Sequence, residues 1–191
     1  GNVIWSWKSS KYFKDIPYIY PRWPNGRQEK TMHQNSFYFD EKKKIVYVSF
    51  KNTNQVVKIK YPDGKILNTY GKPYDPNDEE NHLFCDQHSV KLSSKGHLML
   101  FNNNMCNATE KPKVMMFKEP VPGNNKLVKV WEYEAPAEVT QVMEQGRDIY
   151  YTSGGNEIEL PDGSMFISMC NRYVNLFIID ANKKIIWNAV P

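Results

Sequence analysis

Apolar and polar positions alternate along this chain in short runs, and no stretch sustains the 3.6-residue period of an amphipathic helix. Runs rich in Val, Ile, Phe and Tyr, bounded by Gly, Pro, Asn and Asp, predict strands at 35–39, 44–50, 55–60 and 65–70. The same pattern recurs at 88–92, 97–101, 113–118 and 126–133, and again at 155–160, 164–170, 174–180 and 184–188. The runs therefore fall into three groups of four, preceded by one orphan strand at 3–7.

Internal repetition supports this grouping. Gly1-Asn2-Val3-Ile4-Trp5 is echoed by Lys126–Trp131 and by Asn182–Trp187, and more weakly by Asp63–Asn68. Aligning Trp5, Asn68, Trp131 and Trp187 gives spacings of 63, 63 and 56 residues. Repeats of this length, each a four-stranded antiparallel unit too thin to bury its own faces, describe the blades of a β-propeller. A β-sandwich is the competing all-β arrangement. The expected organisation is a single partial propeller over 1–191, with blade-like repeats at 33–70, 88–133 and 153–188.

Propellers close with about four to eight blades, so three blades and a strand leave the ring open. Either the chain is a segment of a larger propeller, which is the preferred reading, or two copies associate as a homodimer. No export signal is present, and the opening directly in a strand reads as a cut end. The connections at 8–32, 71–87 and 134–153 are long and polar, a length associated with functional or mobile loops.

Composition narrows the function classes. With 191 residues the chain has room for one substantial core. The 14% aromatic content suits strands. A net charge of +4 without a basic stripe gives no reason to expect nucleic acid, and no apolar run is long enough to span a bilayer. Cys85, Cys106 and Cys170 show no CxxC spacing, and an odd count leaves at least one outside any internal pair.

The polar residues carry the chemistry. Each repeat opens on a polar cluster: Met32–Ser36, Asp86–Ser89 and Thr152–Asn156. In a propeller the first strand of each blade lines the axis, so these clusters point to one face. The turns after each second strand, Lys51–Asn54, Asn102–Asn104 and Cys170–Arg172, lie on that face as well. Two histidines, several amides and two cations thus converge on one pocket.

His33-Gln34-Asn35-Ser36, the run Ser49–Ile59 with Asp63–Ile66 after it, and Gln87–Leu92 continuing into Gly96–Asn104 resemble the bacterial arylsulfate sulfotransferases. These are six-bladed propeller enzymes that move a sulfuryl group between phenols without a nucleotide donor. The resemblance runs from about Trp5 to Trp187 and corresponds to the second half of the family propeller. It implies that His88 is the nucleophile and that His33 and Asn35 bind the sulfuryl oxygens. Lys51 falls where the family has an arginine, which keeps the charge and loses the planar fork. A hydroxyl contact falls at Thr152 or Ser153, and Arg172 is a second candidate cation. A further family histidine belongs to an earlier blade. The resemblance also implies aryl sulfates and phenols as ligands, and a periplasmic location.

That chemistry is reasonable for these residue types. A neutral imidazole, with an ordinary pKa of ~6.5, is nucleophilic near neutrality and can accept and return an electrophilic group. Cations and amide donors can neutralise the peripheral oxygens of an in-line transfer, so no metal or cofactor is required. Plainer readings apply elsewhere: His82 as loop, His97 as a strand residue, Asn102–Asn104 as turn formers, Gly154-Gly155 as a bend, Asp75–Glu80 as a solvated loop. Cys85 reads as a small buried hydrophobe, although an oxidising compartment would allow a bond with Cys106. The rival function is a propeller that binds a ligand or partner protein without chemistry.

Overall fold

In the computed structural model the described residues are 1–13, 32–73, 83–106, 111–121, 126–134, 136, 141–144, 147–150, 154–170 and 174–189. They form an all-β protein whose three four-stranded antiparallel sheets follow one another along the chain as propeller blades. Blade 1 holds β1 (Gln34–Asp40), β2 (Ile45–Phe50), β3 (Gln55–Lys60) and β4 (Ile66–Gly71). Blade 2 holds β5 (His88–Leu92), β6 (Leu98–Asn102), β7 (Lys113–Lys118) and β8 (Val128–Glu134). A two-stranded hairpin, β9 (Gln141–Glu144) and β10 (Arg147–Tyr150), precedes blade 3. Blade 3 holds β11 (Gly154–Glu159), β12 (Met165–Cys170), β13 (Val174–Ile179) and β14 (Ile185–Ala189).

Each blade is paired in sequence order. In blades 1 and 2 the second strand reads as a nearly unbroken apolar run because both its faces are buried. In β6, Leu98 and Leu100 pack into the core shared with blade 1, and Met99 and Phe101 into the core shared with blade 3. β2 divides likewise, with Ile45 and Tyr47 on the blade 2 side and Val46, Val48 and Phe50 on the other. The two-residue period of a strand thus makes each central blade the filling between two cores.

The blade seams also carry buried polar links. Glu119, just after β7, accepts hydrogen bonds from Tyr47 Oη (2.8 Å), Tyr70 Oη (2.5 Å) and Lys58 Nζ (2.8 Å), tying blade 1 to blade 2. Burial and the Glu119 charge push both tyrosine hydroxyls far above their ordinary pKa. Burial alone would raise the Glu119 carboxyl, but the three donors together hold it below its ordinary value. Between β5 and β11, Lys91 Nζ donates to Ser89 Oγ, Asn156 Oδ1 and the Glu157 carbonyl and lies 3.3 Å from the Glu157 carboxylate. Glu157 is fully buried, which raises its pKa against the opposing pull of Lys91.

Two expectations differ from what is found. The segment 3–7 joins no ladder. Without a partner strand its amides gain nothing from extended pairing, and side chains fix it instead: Trp5 Nε1 donates to the Pro62 carbonyl (2.8 Å), and Trp7 Nε1 to that of Gly64 (3.1 Å). Trp5 and Trp7 pack with Phe13 on the face of blade 1 turned away from blade 2. The connection 134–153, read as loop, contains the hairpin β9–β10, whose strands are four residues each, too short for a periodicity to register. Among the described residues no helix is long and apolar enough to cross a membrane.

Candidate functional site

His88 is the first residue of β5, and the segment before it is fastened by a set of buried contacts. A disulfide joins Cys85 to Cys106, 21 positions apart in sequence and with Cα atoms 6.1 Å apart, so Cys85 is one half of a bridge and not a simple buried hydrophobe. Gln87 is buried, and its Nε2 lies 3.0 Å from Ser49 Oγ, 3.1 Å from the Phe50 carbonyl and 3.2 Å from the Gln55 carbonyl, all in blade 1. The Asp86 amide donates to Asn54 Oδ1 (3.0 Å), and the Val90 amide to Ser36 Oγ (3.0 Å). The local sequence allows this because β5 departs from regular pairing with β6 between His88 and Lys91. Amides that a continuous ladder would engage turn to the neighbouring blade.

The His88 ring is half-buried. Its Nδ1 lies 2.9 Å from the Asp86 carbonyl and 2.7 Å from Asn103 Oδ1. Asn103 is itself buried, and its Nδ2 donates to the Gly154 carbonyl (3.2 Å) at the start of β11. His88 Nε2 makes no hydrogen bond among the described residues. A Cβ added to Gly154 would stand 3.9 Å from that nitrogen and 3.6 Å from Cys170 Cβ, so the glycine leaves space beside it. Gly155 has a different reason: its Cβ would meet the Phe101 ring at 2.5 Å, and only glycine permits that approach.

The His88 pKa lies below the ordinary histidine value. Burial is the main cause; the Asn103 hydrogen bond works against it, while the positive charges of Lys51 and His33 add to it. The ring is therefore neutral at neutral pH. Both residues come from blade 1, whose inner strand β1 lies against β5. His33, exposed, immediately precedes β1, and its carbonyl accepts the Lys51 amide (2.9 Å), which binds the two residues into one turn. Lys51 opens the short 3-10 turn Lys51–Thr53. Asn35 donates through Nδ2 to the Gln87 carbonyl (2.6 Å), so one of its N–H groups already holds the His88 segment and the other is what could reach a ligand.

His33 and Asn35 at the start of β1, and Lys51 in the turn after β2, are thus brought to the end of blade 1 that adjoins His88 at the start of β5. Thr152, Ser153 and Arg172 lie outside the described residues, as do His82 and Asp75–Glu80. His97 does not sit within a strand but precedes β6, at the opposite end of the blade from His88.

Sequence reasoning placed Asn102–Asn104 on the face of the site but read them as turn formers, and missed their hold on the His88 segment. Asn102, Asn103 and Asn104 are buried, and they open a long connection to β7 instead of forming a tight turn. Asn102 Oδ1 accepts the Cys85 amide (2.9 Å), and the Asn104 amide donates to the Cys85 carbonyl (3.2 Å). The visible signal was the pair of cysteines, one before His88 and one after Asn104. A second signal exists only in the backbone: His33, Asn54, Asp86, Ser89 and Asn104 all have positive φ without being glycine. Such conformations concentrate where surrounding contacts enforce a functional geometry.

The arrangement offers a neutral imidazole with one nitrogen open, next to positive charge suited to an anionic ligand. No curated protein matches the chain significantly. Among solved structures, similarity extends to a candidate 6-phosphogluconolactonase from Bacteroides uniformis (15% identity, TM-score 0.47, covering 85% of this chain and 42% of that one). Virginiamycin B lyase from Staphylococcus aureus (14%, 0.44, covering 85% and 45%) and hydrazine synthase from Kuenenia stuttgartiensis (13%, 0.44, covering 86% and 53%) follow. The chain spans about half the length of these structures or less. The family profile for arylsulfotransferase (ASST) matches residues 1–177. Covering nearly the whole chain, including every described residue of the His88 site, that match makes this chain a member of the arylsulfotransferase family.

Proposed function

We propose that the protein transfers a sulfuryl group from a phenolic sulfate ester to a phenol, with His88 as the covalent carrier and no nucleotide donor. In the first half-reaction the Nε2 lone pair attacks sulfur. The N–S bond forms as the ester S–O bond breaks, and the departing phenoxide takes a proton from water. In the second, the acceptor phenol loses its proton to solvent, its oxygen attacks the sulfur, and the N–S bond breaks to return the neutral ring. One nucleophile serving donor and acceptor in turn gives ping-pong kinetics. Lys51, His33 and the second N–H of Asn35 would hold and partly neutralise the three peripheral sulfuryl oxygens over which charge is spread in transfer. Thr152, Ser153 and Arg172 are further candidates for substrate contact.

The observation that carries this reading is His88, neutral and half-buried, with Lys51 and His33 on the adjoining blade. The disulfide is the kind of bond that persists in oxidising compartments, which supports export to the periplasm or beyond. The competing reading is a binding module without chemistry. It draws on Lys51, which cannot grip two oxygens as an arginine does.

Incubation with para-nitrophenyl sulfate and phenol tests the proposal. Nitrophenol release that vanishes in His88→Ala, with a base-stable, acid-labile sulfuryl mass on the His88 peptide, is the expected result. Absence of release, while His88→Ala still binds aryl sulfate as the parent does, would establish the binding module instead.

A further inference from the structure

We infer that Asn103 is a positioning residue: clamped by the Gly154 carbonyl of blade 3, it holds the His88 ring of blade 2 in the tautomer that carries its proton on Nδ1. The inference deepens the transfer reading, on which its kinetic part rests. A neutral imidazole has one N–H and one lone pair, and neighbours decide which nitrogen has which. Both partners of His88 Nδ1 are oxygens, the Asp86 carbonyl at 2.9 Å and Asn103 Oδ1 at 2.7 Å. A carbonyl only accepts. An amide can present either end, and the choice is made by Asn103 Nδ2, which donates to the Gly154 carbonyl at 3.2 Å. Turned over, the amide would set oxygen against the Gly154 oxygen and N–H against the His88 N–H.

The two acceptors are not equivalent. Asp86 is two residues before His88 and shares its backbone, so its carbonyl moves with the ring it contacts. Asn103 reaches over from just past the end of β6 beside His88 and is anchored to a third element, so it fixes the ring plane relative to the pocket. An amide also suits the task better than the carboxylate that often accompanies a catalytic histidine. It orients the ring without a negative charge that would keep the ring protonated and its lone pair occupied. Once sulfur is attached, the ring becomes cationic and its Nδ1–H a stronger donor, so Asn103 binds the intermediate more tightly than the resting ring. Among the described residues the charged and titratable groups around the ring are Lys51 and His33 from blade 1, Asp86 on its own segment, Cys170 on β12 and the Lys91–Glu157 pair between β5 and β11. All are left in place by substitutions at Asn103.

The decisive measurement is the nitrogen-15 spectrum of His88 in the intact protein, which reports the tautomer whether or not the protein turns over. The expected spectrum has Nδ1 protonated and Nε2 bare. In Asn103→Ala the tautomers mix, sulfuryl transfer falls about 10- to 100-fold, and the acid limb of the pH profile moves down, since the lost hydrogen bond had favoured the protonated ring. In Asn103→Asp the acid limb moves up, because a carboxylate stabilises the imidazolium, and rate is regained toward higher pH. Opposite shifts from two variants are not what a merely structural residue produces. A wild-type spectrum with the proton on Nε2, or acid limbs in both variants matching wild type, overturns the inference. Should the expected tautomer be seen in a protein that transfers no sulfuryl group, Asn103 keeps its positioning role and only the transfer reading falls.

Discussion

Removing the Cys85–Cys106 bridge should destabilise the chain by an amount set by the loop it closes. For cysteines 21 residues apart, the chain-entropy relation gives about 3 kcal/mol at 25 °C. In a chain of this length that corresponds to a melting point roughly 6 to 12 °C lower. The perturbation is Cys85→Ala with Cys106→Ala, or reduction of the parent, read by urea unfolding. Because the effect acts on the unfolded ensemble, the denaturant slope should rise as that ensemble expands, alongside the loss of midpoint. The anchors of the His88 segment survive the change: Gln87 still holds blade 1, and Asn102 still accepts the Cys85 amide. Stability should therefore fall more steeply than sulfuryl transfer. A loss below about 1 kcal/mol with an unchanged slope would refute the loop argument. Three titratable thiols in the denatured, unreduced protein, where one is expected, would refute the bridge itself.

Glu119→Ala strips the acceptor from Tyr47, Tyr70 and Lys58, two of them buried hydroxyls; at ~1.5–3 kcal/mol per bond to a charged group, and with incomplete additivity, urea unfolding should show a loss of roughly 3–5 kcal/mol. Since the Glu119 pKa is lowered on folding, its contribution is complete above the ordinary carboxylate range and disappears as pH falls through the folded value, so the difference between parent and variant should shrink in acid. Lys51→Gln removes a positive charge that depresses the His88 pKa, and the acid limb of kcat/KM should move up; Lys51→Arg should leave it in place and tighten binding of the sulfate donor. Equal limbs in Lys51→Gln and the parent would show that Lys51 does not act on the ring.

The blade strands were readable because their pattern is set by local alternation. β6 has apolar neighbours on both sides, and its run of Leu98-Met99-Leu100-Phe101 says so without reference to any other part of the chain. The histidines were readable for a different reason, since repeat phase places them at corresponding strand starts. What sequence could not supply was the direction of an amide. Asn103 in a run of three asparagines looks like turn chemistry, and nothing local distinguishes a solvated turn from a buried clamp. Its role depends on the Gly154 carbonyl, 51 residues away in another blade. Trp5 misled in the opposite sense: its resemblance to Trp131 and Trp187 predicted a strand, but those two lie in or beside ladders that the first segment lacks.

Ladder departures in the two inner strands explain why the site sits on the seam between blades. β1 shifts register between Gln34 and Ser36, around Asn35, and β5 shifts between His88 and Lys91, around Ser89. Each irregularity frees polar groups from the residue's own sheet at the point where the adjoining blade arrives. Asn35 then holds the Gln87 carbonyl, Ser36 the Val90 amide, and Asn54 the Asp86 amide. His88, paired with Phe101 in its own sheet, is accordingly placed also by blade 1 through the backbone of its segment and by blade 3 through the anchor of Asn103. Its geometry is then a property of blade packing, and substitutions in the seam, such as Gln87→Ala or Ser36→Ala, should alter transfer without touching any reacting atom. A β5 laddered regularly to β6 from His88 through Lys91 could not take these cross-blade bonds, because an amide such as that of Val90 would already be committed to its neighbour in the sheet.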